Sequence, residues 1–95
     1  MVVDFTVAEA SRATLPVLAA AGVHAVVGTS GLGDDDLAAL RDVFRTSNCV
    51  VAPNFAIGAV LMMRFAELAA PWFETAEIVE THHDDKIDAP SGTAV

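Results

Sequence analysis

Cysteine occurs once in these 95 residues, tyrosine not at all, and cations only five times. The single Cys49 cannot make an internal disulfide, and inside the apolar run NCVVAP it reads as a small hydrophobe in a protein of the reducing cytoplasm. Thirteen acids against five bases give a formal charge of −8, and Arg12, Arg41, Arg45, Arg64 and Lys86 are dispersed along the chain. A phosphate backbone is repelled by such a surface, which excludes nucleic acid as a partner. No basic segment leading into an apolar core opens the chain, so no signal peptide is expected. The longest apolar stretch, FAIGAVLMM at 55–63, stops at Arg64, far short of the ~20 residues of a membrane span. A soluble protein without membrane contact is expected. The G-x-G-x-x-G fingerprint is also missing, so no turn can be singled out as a phosphate grip.

What remains is apolar and segmented. Hydrophobic residues reach 54% and charged residues only 19%, too apolar for disorder and consistent with segments covered on more than one side. VVDF at 2–5 has a buried-strand pattern, and TVAE at 6–9 has the hydroxyl-to-Glu spacing of a capping box. A helix is therefore expected from Thr6 toward Gly22, kinked or split at Pro16. VHAVV at 23–27 is a second strand, GTSGLG at 28–33 a glycine-rich turn, and DDDLAALRDVFR at 34–45 an amphipathic helix with three acids at its positive end. NCVVAP at 48–53 is a third strand, and Asn54 is the expected N-cap of a helix at 55–70 that is apolar nearly all round and so wedged between layers. Pro71 ends it, and AEIVETH at 76–82 reads as a strand. Alternating strands and helices with short turns predict an α/β fold built of parallel β-α-β units.

Ligands of such sheets bind beyond the carboxyl ends of the strands. In GTSG, Gly28 and Gly31 leave backbone amides open, with the Thr29 and Ser30 hydroxyls alongside, although on this tetrapeptide alone an ordinary strand-to-helix turn is the favoured reading. His24 reads as a surface or hydrogen-bonded residue. The stretch ETHHDDKIDAPSGTA at 80–94 carries more chemistry. His82 and His83 follow a strand and stand on opposite sides of it, Lys86 lies just beyond, and Ser91 caps a helix start that exposes the amides of Gly92 and Thr93. A histidine acid, a lysine cation and an anion site describe a pocket for a carboxylate-bearing substrate that must be protonated. Asp84 and Asp85 hold the histidines and Lys86 in their charged forms. A solvated tail is the plainer alternative. A metal site ranks low, because adjacent ligands chelate poorly on a strand and Lys86 repels the cation.

The same stretch resembles the E-x-H-H-x-x-K-x-D-A-P-S-G-T-A signature of the 4-hydroxy-tetrahydrodipicolinate reductases, also called dihydrodipicolinate reductases. VVDFT, GVHAVVGTSG and APNFAIGAVLMM resemble segments of that family in order and spacing. The resemblance implies a cytoplasmic reductase of lysine and diaminopimelate biosynthesis. It passes hydride from NADH or NADPH to a small cyclic dicarboxylate, with loss of water. It implies His82 and Lys86 as proton donors, His83 as a substrate contact, and Gly92 and Thr93 as the amides that hold a substrate carboxylate. Gly28, Thr29 and Ser30 match one nicotinamide-cofactor loop, and Ala52, Pro53, Asn54 and Phe55 another. The implied fold is a partial Rossmann-like parallel sheet followed by the start of an α+β substrate domain. Residues 1–54 are the C-terminal part of a dinucleotide-binding domain, and 55–95 the beginning of the substrate-binding domain. In the family a first strand and a glycine-rich phosphate loop come before VVDFT, and most of the substrate domain, which also builds a homotetramer, comes after. The chain is thus expected to be an internal segment with little or no activity alone. A non-catalytic α/β module that self-associates through the helix at 55–70 is the alternative.

Overall fold

Three short runs rich in β-branched residues build one sheet. In the computed structural model, which describes residues 1–85 and 90–94, β1 (Val2–Asp4), β2 (Ala25–Val27) and β3 (Cys49–Val51) pair in parallel in that order. The helices α1 (Ala8–Ala20) and α2 (Asp34–Val43) make the two crossovers. Parallel neighbours joined through helices give the α/β, Rossmann-like arrangement that the sequence predicts. The chain divides into two compact units, Met1–Pro53 and Asn54–Val95.

The core of the first unit follows from strand alternation. Ala25 and Val27 point to one face of the sheet and meet Leu15 of α1 and Leu40 of α2, with Leu18, Leu32, Phe44, Cys49 and Val51 packed around them. Leu15 and Val27 are fully buried, worth about 2 kcal/mol each. Val3, Val26 and Val50 form a row in register across the other face, and Val3 and Val50 are 56% and 54% exposed. The expectation of strands buried on both sides is corrected accordingly. Both helices lie on the core face, through Leu15 and Leu40, and touch each other there, as two right-handed crossovers stepping the same way require.

Local chemistry revises the helix ends. Thr6 is not a cap: its hydroxyl and amide both donate to Asp4 Oδ1, at 2.6 and 2.9 Å, and α1 starts after Val7 without a side-chain cap. The Asp-x-Thr turn outcompetes the capping box because it satisfies a buried carboxylate. Pro16 neither breaks nor splits α1. Ser11, Leu15 and Ala19 are buried on one stripe of this helix, and keeping that stripe together outweighs one missing backbone bond. Gly22, at φ 67°, closes α1 with the paired bonds Gly22 N–H to Ala19 O and Val23 N–H to Leu18 O. His24 is exposed, and its Nδ1 accepts the Asn48 amide at 2.9 Å.

In the second unit α3 (Ile57–Ala69) runs into a 3-10 turn, Ala70–Trp72, that contains Pro71. Asn54 does not cap α3. Its Oδ1 accepts the amide of Ala56, which is itself the N-cap residue. No residue of α3 is buried, so the expectation of a helix wedged between layers is not met. The segment 76–82 is not a strand either. An extended run becomes a strand only against a partner, and none of the described residues pairs with it. Ile78 and Val79 are accordingly exposed.

Candidate functional site

The strand-end loops of the first unit are organised by a buried carboxylate. Asp4, 6% exposed at the end of β1, accepts the two Thr6 donors at Oδ1 and the Ser11 hydroxyl at Oδ2, at 2.8 Å. The Thr29 hydroxyl lies 3.0 Å from Ser11 Oγ and 3.4 Å from Asp4 Oδ1, within reach of either as donor. These bonds, the Thr6 hydroxyl foremost, hold the Asp4 carboxyl below the usual carboxylate range, against the opposing effect of burial. One acidic side chain therefore joins the end of β1, the first turns of α1 and the loop after β2.

That network corrects two details of the GTSG loop. The Gly28 amide is not open, because it donates to Asp4 O at 2.8 Å, and the Thr29 side chain faces the interior rather than a ligand. Gly28 has a separate reason to be glycine: the Phe5 ring occupies the place where a Cβ would project. Ser30 and Gly31 lie on the exposed side. Gly31, at φ 85°, turns its carbonyl to Arg12 Nη2, 3.1 Å away, and Arg12 also grips Asp36. The loop is thus fixed from beneath by Asp4 and from the side by Arg12. At the end of β3 the Ala52 amide donates to Val27 O at 3.0 Å, which seats Ala52 beside the same loop, and Pro53 is exposed. Burial pushes the Cys49 thiol up, in keeping with a packing role.

The second unit gathers a different set. Asn54 Nδ2 donates to Thr93 Oγ1 at 2.6 Å, and Glu80 Oε1 accepts the Ser91 amide at 2.8 Å. The Ser91 hydroxyl and carbonyl both accept the Ala94 amide, at 3.3 and 3.0 Å, which makes residues 91–94 a capped turn with Gly92 in its middle. His82 Nε2 lies 3.6 Å from Glu80 Oε2, so the acid beside it is Glu80 rather than Asp84 or Asp85. His83 and Phe55 are exposed. Lys86 lies outside the described residues. Sequence reasoning missed Asp4, Ser11 and Glu80. The Asp-x-Thr spacing was a legible signal for the first, and an acid two residues before His82 for the last.

Two family models match the chain, one after the other. The model described as dihydrodipicolinate reductase, N-terminus, covers residues 1–55, and dihydrodipicolinate reductase, C-terminus, covers residues 58–95. The chain belongs to the dihydrodipicolinate reductase family. Relatives named 4-hydroxy-tetrahydrodipicolinate reductase include that of Beutenbergia cavernae, 55% identical over 96 residues, which are 98% of this chain and 39% of the relative. The protein of Thermobifida fusca is 54% identical over 97 residues, 99% of this chain and 39% of its own length. That of Listeria welshimeri is 49% identical over 96 residues, 99% of this chain and 36% of its own length. The chain therefore spans less than two fifths of the reductases named here. The boundary between the two family models falls beside the Pro53–Asn54 division of the structure.

Proposed function

We propose that this chain carries the central part of the active site of an NADH- or NADPH-dependent reductase that converts 4-hydroxy-tetrahydrodipicolinate to tetrahydrodipicolinate in lysine and diaminopimelate biosynthesis. The observation that carries the proposal is the match of the N-terminal and the C-terminal family models to one 95-residue chain, over residues 1–55 and 58–95, with the H-H-x-x-K and P-S-G-T residues in place. In this reading residues 1–54 belong to a dinucleotide-binding domain and 55–95 to the beginning of a substrate domain. The whole protein is a cytoplasmic homotetramer.

The fit to a nicotinamide nucleotide is supported by a loop at the carboxyl edge of a parallel sheet, braced by Asp4 and Arg12, with Ser30 and Gly31 on its exposed side. By their match to the family's pattern, Gly28, Thr29 and Ser30 belong to one cofactor loop, with Ser30 on its exposed side, and Ala52, Pro53, Asn54 and Phe55 belong to another. A dihydronicotinamide, when bound, supplies the hydride. The chain's own residues do the rest. Gly92 and Thr93 hold a carboxylate through main-chain N–H groups, and His83 contacts the substrate. His82 and Lys86 are the proton donors, delivering a proton to the substrate as hydride adds and water leaves.

The test is binding. Titrating NADH into the chain while following nicotinamide fluorescence, then adding pyridine-2,6-dicarboxylate as a substrate mimic, should show saturable mimic binding that Lys86→Ala abolishes. Mimic binding indifferent to Lys86→Ala and to Thr93→Pro, which removes one of the two amides, would overturn the proposed site. Strong self-association with no ligand binding would favour the assembly role instead.

A further inference from the structure

We propose that Glu80 is a positioning residue that holds the His82 imidazole and the turn at 91–94 as one unit, an inference that rests on the dicarboxylate reading above. Its carboxylate reaches both. Oε1 accepts the Ser91 amide at 2.8 Å, and Oε2 lies 3.6 Å from His82 Nε2, a distance at which the pair is ionic when the ring is protonated. The Glu80 and His82 side chains are 25% and 32% exposed, so both are partly withdrawn from water. A carboxylate with one oxygen committed to a backbone amide loses most of its rotational freedom, and its second oxygen then presents a fixed acceptor to the ring.

The turn is held at its other side as well. Asn54 donates to Thr93 Oγ1 at 2.6 Å while its own Oδ1 takes the Ala56 amide, so Asn54 is itself locked. Gly92 therefore sits between two anchored neighbours, Ser91 on Glu80 and Thr93 on Asn54. Glu80 commits the Ser91 amide, which leaves a ligand carboxylate to Gly92 and Thr93, the two amides that the sequence singles out.

Two effects of Glu80 on a doubly negative ligand have opposite sign. As a negative charge near the turn it opposes binding, so its removal would tighten the complex. As the anchor of the turn it supports binding, so its removal would weaken it. A carboxylate that did nothing but repel would favour the first outcome, and the bond from Ser91 with the close approach to His82 favours the second.

The experiment uses the 15N-labelled chain, unaltered and as Glu80→Gln and Glu80→Ala. The Ser91 amide and His82 ring signals are recorded without ligand and then during titration with pyridine-2,6-dicarboxylate. Glu80→Ala should move both signals and weaken binding about tenfold, the scale of one lost hydrogen bond to a charged group. Glu80→Gln keeps an acceptor for Ser91 and should restore binding to within about threefold of the unaltered chain, while the His82 ring signal still moves because the charge is gone. Glu80→Ala binding as tightly as the unaltered chain, or more tightly, would overturn the inference. If the unaltered chain fails to bind the mimic, the dicarboxylate reading falls, and the ligand-free signals still decide the role of Glu80. Movement of both in Glu80→Ala sustains it, and movement of neither refutes it. Should Glu80→Ala unfold the second unit, Glu80→Gln decides alone, by whether the His82 ring moves while the Ser91 amide stays.

Discussion

The two units of this chain solve the burial problem differently. The first closes a core of Leu15, Val27 and Leu40 between a parallel sheet and two helices, and buries Asp4, Ser11 and Thr29 beneath its loops. The second has a helix of higher apolar content, yet no residue of α3 is buried, and Trp72 and Phe73 are exposed as well. Its order comes from single polar ties, Asn54 to Thr93 and Glu80 to Ser91. Apolar content by itself does not make a core. Burial needs a second surface at the right distance, which β1, β2 and β3 provide for α1 and α2.

The largest effect that would break this comparison is a pair of cavity substitutions. Leu15→Ala should destabilise the first unit by about 3 kcal/mol, the usual cost of truncating a fully buried leucine. Leu68→Ala, at a position 58% exposed on α3, should stay within about 0.5 kcal/mol. Urea denaturation followed by circular dichroism gives both numbers, and equal costs would show that α3 is covered after all. Next is Asp4→Ala, expected to cost about 2 kcal/mol because the Ser11 and Thr29 hydroxyls lose a buried acceptor. Asp4→Asn should recover part of that loss, and hydrogen exchange of the 28–31 amides would report the loosened loop. Gly28→Ala should cost less, about 1 kcal/mol, since the exposed Phe5 ring can swing aside for the new methyl group. The changed Phe5 ring signals would reveal the movement.

The same contrast explains what the sequence could reveal. Valine pairs separated by helical periods made the sheet, its parallel sense and both crossovers readable, because alternation and connection rules are local and general. The fate of Thr6 was not readable. Two local motifs compete for its hydroxyl, and the winner depends on Asp4 being buried, a tertiary fact. The run at 76–82 has strand composition, but a strand is a property of two segments, so one segment's residues cannot decide it. Among the candidate site residues the histidines and the P-S-G-T turn stood out through their chemistry. Glu80 did not, because its importance lies in the Ser91 amide eleven residues away. Thr29 was legible as a loop residue but not as an inward-facing one, since that depends on the serine that α1 presents to it.

The smallest effect concerns the Arg12–Asp36 clasp that ties α1 to α2 by charge. Arg12 donates from Nε to Asp36 Oδ1 at 2.8 Å and from Nη2 to Oδ2 at 2.9 Å, and the Gly33 amide adds a third bond to Oδ2 at 2.9 Å. These contacts, Arg12 foremost, bring the Asp36 carboxyl down to about 2 from an ordinary value of 3.8. A depressed carboxylate contributes stability that is complete above its unfolded value and disappears as pH falls through the folded one. The first unit should therefore lose this contribution between about pH 4 and pH 2, and the loss should be absent in Asp36→Asn. Because the pair is solvent-exposed, half-molar salt should shrink the effect. Arg12→Lys should shrink it further, because an ammonium cannot grip both oxygens in a planar fork. A steep acid limb that survives in Asp36→Asn would move the responsibility to Asp4, whose carboxyl is also held low but sits beneath the loop instead of across the helices.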